Sequence, residues 1–216
     1  REFEQMEMEY FVPPEEASRW YDYWKGERFQ WYVDLGMPPE MIRLREHEAS
    51  ELSHYASGTS DVEFLFPWGW DELEGIANRG DYDLRQHAAH SGERLEYFDQ
   101  AANERYVPHV IEPAAGATRT AMAFLMAAYD EEEVAREGQG QGEVRTVLRF
   151  HPRVAPYKVA VLPLSKKPEL QGPANEVLAA LRAKGITLES TAEEVLKAAD
   201  DGTLIPMVLT HREAIK

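Results

Sequence analysis

Residues 3–12, FEQMEMEYFV, alternate between two kinds of side chain and end at Pro13-Pro14. That period of two commits the start of the chain to an extended strand with two unlike faces. Met6, Met8, Tyr10 and Val12 fall on one face, predicted to be core, while Arg1, Phe3, Gln5 and Glu7 fall on the other. A helix is predicted next, with Trp20, Trp24, Trp31 and Leu35 near helical spacing as its buried stripe and Gly36 as its stop. Strands are predicted over 61–66 and 72–77, flanking the turn Pro67-Trp68-Gly69, and again over 105–111. Gly116-Ala117-Thr118-Arg119 leads into an apolar helix over 121–129. Residues 1–150 therefore read as one domain of α+β class with a predominantly antiparallel sheet.

The run from Asp130 to Glu143 is acidic, then rich in Gly and Gln, and is predicted to be an exposed loop or linker before a strand over 146–150. The style then changes. KVAVLPL (158–164) has the look of a buried strand, 173–184 of a helix stopped by Gly185. Ser190 and Thr191 with Glu193 and Glu194 offer a capping box for another helix, and 203–209 a further strand. Residues 151–216 are thus expected to form a small α/β domain.

No apolar run approaches the roughly 20 residues that span a bilayer, the N-terminus does not resemble a signal peptide, and there is no cysteine. The cytoplasm is the expected location. Residues 1–150 carry 14 basic against 31 acidic side chains, a net of −17, whereas residues 151–216 carry 9 against 8, a net of +1. An acidic body does not attract a phosphate backbone, so any nucleic-acid partner must meet local basic patches. His87 and His90, three apart, lack a supporting ligand set and are most simply solvated. No phosphate-binding glycine loop or hydrolase nucleophile elbow is present.

Three clusters carry chemistry in combination: REFEQMEMEYFV (1–12), WDELEGIANRGDYDLRQH (70–87) and VPHVIEPAAGATRTAMAFL (107–125). In order and spacing they resemble the glycyl-tRNA synthetases of the single-chain, dimer-forming type, a family of class II aminoacyl-tRNA synthetases. KVAVLPLSKK (158–167) resembles the start of that family's anticodon-binding domain. The resemblance covers about residues 1–185.

It implies an antiparallel class II catalytic core followed by an anticodon-binding-like domain, with ATP, Mg²⁺, glycine and tRNA(Gly) as ligands and a homodimer as the assembly. Arg1, Glu2 and Phe3 match ATP-binding positions, Phe3 as the ring that stacks on adenine. Glu72 and Leu73, and then Gly116, Ala117, Thr118 and Arg119, match further ATP positions. Arg119 at a helix start suits an anion. Phe3, Glu4, Gln5, Met6 and Glu7, then Arg79, and Glu112, Pro113, Ala114, Ala115 and Gly116 match the glycine pocket. Glu7 and Glu112 are the expected ammonium ligands, bound by charge-assisted hydrogen bonds. Two such acids also crowd the space where a side chain would project, and overpacking by one methyl costs roughly 1–3 kcal/mol. Glu7 and Arg119 are the expected catalytic residues. Glu72 and Glu74, two apart, are predicted to share a strand face, with Glu72 the tentative Mg²⁺ ligand.

Two departures accompany the match. The family's motif 1 and the first strand of motif 2 would lie before Arg1, so the chain is expected to be part of a longer polypeptide. After about Gly185 the tail lacks the family's arginine-rich stretch, and anticodon contacts cannot be assigned there. A synthetase-like paralogue that only binds nucleic acid or protein, and a free-standing enzyme that activates an amino acid for a carrier other than tRNA, are the alternative readings.

Overall fold

The structure is a computed structural model that describes residues 4–48, 50–54, 56–134, 143–161 and 167–185. The chain forms two compact units, 1–127 and 128–216.

In the first unit a six-stranded antiparallel sheet is built from β1 (Gln5–Glu7), β2 (Tyr10–Val12), β3 (Ile42–Glu46), β4 (Gly58–Phe66), β5 (Gly69–Gly80) and β8 (His109–Gly116), in the order β1-β8-β5-β4-β3 with β2 also on β8. The predicted first strand is interrupted at Met8 and Glu9. Its register against β8 nevertheless runs unbroken, from Gln5 opposite Gly116 to Val12 opposite His109. Its covered face holds Val12, which is buried, but Met6 is 43% exposed, contrary to its predicted place in the core. The predicted strand over 105–111 is likewise divided. β7 (Glu104–Tyr106) pairs with β6 (Tyr97–Asp99) in a separate hairpin, and β8 begins only after Pro108. A proline there has no N–H to continue the ladder.

The helix α1 (Ala17–Asp34) ends as its glycine predicts, with Gly36 at φ 93°. Its inner stripe is aromatic. Trp20, Tyr21 and Trp24 pack on the cluster of Val12, Ala17 and Ile111 together with Tyr10. The fully buried ring is Tyr32 rather than a tryptophan. Between them, at the same helical spacing, stands Arg28. Its Nε and Nη2 donate to the two Glu74 carboxylate oxygens at 2.6 and 3.1 Å, and the Tyr32 hydroxyl donates to Glu74 Oε2 at 2.7 Å. A carboxylate only 1% exposed is tolerable in a core because these three donors satisfy it. Phe124 of α3 (Ala117–Ala128) stacks on Tyr32 with ring centroids 6.1 Å apart. Helix α2 (Tyr82–Ser91) follows β5 and carries His87 and His90 exposed.

The turn between β4 and β5 is where it is predicted, and Gly69 takes φ 115°, a conformation that a Cβ would strain. Beyond it lies a feature that simple alternation does not anticipate. Val62 pairs with Glu74 but Glu63 pairs with Glu72, so Leu73 is an extra residue. This bulge reverses the alternation. Glu74 points with Val62 into the core, while Glu72 stands with Glu63 and Asp61 on the opposite face; the two acids do not share a face as predicted.

In the second unit, β9 (Tyr129–Val134) pairs with β10 (Glu143–Leu148). The acidic run predicted as a loop is therefore a strand over residues 130–134. Two of its four acids meet arginines across the hairpin. Arg149 Nε donates to Asp130 at 2.6 Å and its Nη2 to Glu132 at 2.8 Å, while Arg145 also pairs with Glu132. The helix α4 runs Pro168–Ala183, starting five residues before the prediction with Pro168 in its first turn and Pro173 inside it, and Gly185 follows at φ 72°. The predicted strand over 158–164 lies partly outside the described residues, and the capping box and the strand over 203–209 lie wholly outside them.

Candidate active site on the open face of the sheet

Residues directly opposite one another in antiparallel strands project to the same side. The register therefore assigns one face of the first unit's sheet to Gln5 and Glu7 (β1), Glu112, Ala114 and Gly116 (β8), Gly75 and Ala77 (β5), Asp61 and Glu63 (β4), and Arg43 and Arg45 (β3). Met6 and Ala115 lie on the covered face with Glu74 and Val62, and Pro113 and Leu73 are buried. Arg1, Glu2 and Phe3 lie outside the described residues. The Glu4 carbonyl accepts the Ala117 N–H at 2.9 Å, tying the start of β1 to the first turn of α3.

At one end of this face, Glu112 is held by Arg79. The guanidinium Nη1 lies 2.9 and 2.8 Å from the two Glu112 oxygens, and Nε donates to Asp83 at 2.7 Å. Arg79 reaches that position because a second irregularity, between Asn78 and Gly80, sets it outside the regular alternation. Hydrogen bonds to Asp83 and Glu112 raise its pKa further above its ordinary value. The small residues Gly75, Ala77 and Ala114 floor the space beside Glu7 and Glu112. A Cβ on Gly75 would come within 3.3 Å of Glu72 Oε1.

At the other end stand Glu72 and Arg119. Partial desolvation, and then the neighbouring Asp61 carboxylate, raise the Glu72 pKa. Asp61 itself is bonded to His47 Nε2 at 2.6 Å, with Arg45 Nη1 3.8 Å away. Arg119, in the first turn of α3, lies over the Phe66 ring at 4.9 Å and 2.8 Å from Asp71. The Trp68 indole N–H and then this guanidinium hold the Asp71 carboxyl below its usual range. Arg119 Nε is buried without a hydrogen-bond partner among the described residues. An unsatisfied donor on a guanidinium at a helix N-terminus suits an anionic oxygen.

Several members of this face were not among the candidates. Arg43 bonds Glu63 at 2.6 Å and lies 4.4 Å from the Trp70 ring. The alternating signs of IRLRE and DVEF are the signal that could have found them, since antiparallel pairing sets Arg43 opposite Glu63 and Arg45 opposite Asp61. Asp83 and Glu9 were also missed. Among the described residues no three His, Asp or Glu side chains converge as a metal site.

An antiparallel sheet covered on one side by helices, with an open face lined by acids and arginines and a strand-to-helix turn at its edge, is the fold of class II aminoacyl-tRNA synthetase cores. The prolyl-tRNA synthetase of Cryptosporidium parvum, solved with L-proline and AMP, shares this fold. It matches with a TM-score of 0.55 at 19% identity, over 86% of this chain and 36% of that one. No family model matches the chain. Its sequence, however, is 58% identical over 167 residues to the glycine–tRNA ligase of Ruminiclostridium cellulolyticum, covering 77% of this chain and 35% of that protein. It is 56% identical over 185 residues to that of Corynebacterium efficiens, 84% of this chain and 40% of that protein. Over the residues compared, the chain is homologous to glycine–tRNA ligases. It spans little more than a third of the length of these relatives.

Proposed function

We propose that the natural polypeptide carrying these residues activates glycine with ATP and transfers it to tRNA(Gly). Glycine's carboxylate would attack the α-phosphorus of ATP, expelling pyrophosphate. A terminal ribose hydroxyl of the tRNA would then take the glycyl group, releasing AMP. Neither step needs a covalent bond to the protein, since positioning and fixed charges supply the catalysis.

The observation that carries this reading is that Glu7 and Glu112 share one face floored by glycine and alanine, with Arg79 bonded to Glu112. Glu7 and Glu112 would hold the substrate ammonium, and Arg79 would orient Glu112 and meet the substrate carboxylate. Gln5, Ala114 and Gly116 would wall the pocket. Arg119, with its unsatisfied Nε, would bind ATP phosphate, helped by the first turn through Ala117 and Thr118, and Phe3 would stack on adenine. Glu72 and Asp61 concentrate negative charge that a cation would relieve, which supports Glu72 as the Mg²⁺ ligand. With so few protein oxygens at hand, the ion would take its remaining ligands from phosphate and water. Bound there, Mg²⁺ would neutralise phosphate charge. Residues 151–216 would serve as the anticodon-binding-like domain, and a cytoplasmic homodimer is the proposed state of the whole protein. No helix among the described residues is long and apolar enough to cross a membrane.

Glu7→Gln tests the ammonium assignment. Losing one charged hydrogen bond of about 1.5–3 kcal/mol should raise KM for glycine roughly ten- to hundredfold in pyrophosphate exchange, with KM for ATP little changed. An unchanged KM for glycine contradicts the assignment.

A further inference from the structure

Glu9 follows Glu7 at the break between β1 and β2. The unbroken register, with Glu7 opposite Ala114 and Tyr10 opposite Ile111, sets Glu9 directly across from Glu112. Side chains so placed have Cβ atoms about 4.5–5.5 Å apart, a spacing at which two carboxylates repel. The other side of Glu112 is occupied by Ala77 and by the Arg79 guanidinium. The charged groups reaching Glu9 are Glu112, Arg79 of β5 and Asp83 of α2, with Glu7 two residues back on its own segment. Arg79 is bonded to Glu112 and Asp83, and its charge also acts on Glu9, opposing the two acids there.

We propose that Glu9 is a positioning residue of the ammonium subsite, holding Glu112 through a proton that the two carboxyls share and that glycine's ammonium expels. This rests on the glycine-activating reading above and adds to it a residue and a proton. In balance, the Glu9 carboxylic acid hydrogen-bonded to the Glu112 carboxylate takes up the substrate ammonium. Both carboxyls are then ionised and one proton goes to solvent. Partial desolvation and the Glu112 carboxyl place the Glu9 pKa at about 7, where this exchange responds to physiological pH.

Two readouts test it. Carbon-13 NMR titration of this chain without ligand should give a Glu9 carboxyl midpoint near 7 that falls toward the ordinary carboxylate range in Glu112→Gln. A Glu9 midpoint already in the ordinary range overturns the inference whatever the enzyme's activity. In pyrophosphate exchange by the natural polypeptide, KM for glycine should fall as pH rises from 6 to 7, by up to about tenfold per pH unit, and level off above. Glu9→Gln keeps a hydrogen-bond donor to Glu112 but carries no exchangeable charge, so its KM should be flat across that range, with the change in KM rather than kcat. A slope that survives in Glu9→Gln, or a KM raised equally at every pH, overturns the role. Glu9 titrating near 7 in a protein that exchanges no glycine would instead overturn the functional reading on which the proposal rests.

Discussion

Replacing Glu74 with alanine is expected to destabilise the fold by about 3–5 kcal/mol, the cost of removing one member of a buried ion pair. Glu74 receives both Arg28 nitrogens and the Tyr32 hydroxyl, at 2.6, 3.1 and 2.7 Å. Without it, a guanidinium whose side chain is only 22% exposed and a fully buried phenol lose their acceptor together. Burial is the largest cause holding the Tyr32 pKa far above its ordinary value, and it persists without Glu74, so the ring does not ionise to compensate. Thermal unfolding should fall by roughly 10 °C for a chain of this size. The double replacement Arg28→Met with Glu74→Leu should recover most of that loss, because an apolar pair incurs no charge-burial penalty. Full stability in Glu74→Ala would mean that the cluster is solvated and does not fasten α1 to the sheet.

Arg119→Ala is expected to lower kcat/KM for ATP in pyrophosphate exchange about 10²–10³-fold, the usual effect of deleting a preorganised group that stabilises charge in the transition state. Arg119→Lys should recover only part, since an ammonium cannot present two N–H donors in a plane. The partner Asp71 has its side chain 48% exposed, so the lost ion pair should contribute no more than about 1 kcal/mol to stability after solvent screening. Unfolding midpoints near wild type together with lost exchange would separate catalysis from folding. Exchange within twofold of wild type would remove Arg119 from the phosphate site.

Both residues bear on how much of this molecule could be read before its structure. The turn at Gly69 and the stop at Gly36 follow from local chemistry and stand where predicted, while α3 begins within GATR, at Ala117, four residues before the predicted 121. Local alternation also separates Glu7 from Met6. It fails at Leu73, because a bulge is a property of two strands together and leaves no mark in the bulged strand alone. Glu74 was therefore placed on the wrong face. Arg28 was passed over for a related reason. A charged residue in an aromatic stripe reads as a break in the pattern until its buried partner is known. The acidic strand over 130–134 looks like a solvated run until Arg145 and Arg149 are set across from it. Glu9 gains its meaning only from register, which brings it opposite a residue 103 positions away. The candidate site was legible only as a set of matched motifs, without the couplings between its residues.

The central claim is that this face selects and activates glycine. Its most direct test is amino-acid-dependent exchange of labelled pyrophosphate into ATP by the natural polypeptide that carries these 216 residues, with glycine, alanine and serine compared. Exchange with glycine, and at least roughly tenfold less with alanine and serine, is the result that crowding by Glu7 and Glu112 requires. Folded protein that supports no exchange with any of the three would contradict the claim and leave a synthetase fold used for binding alone.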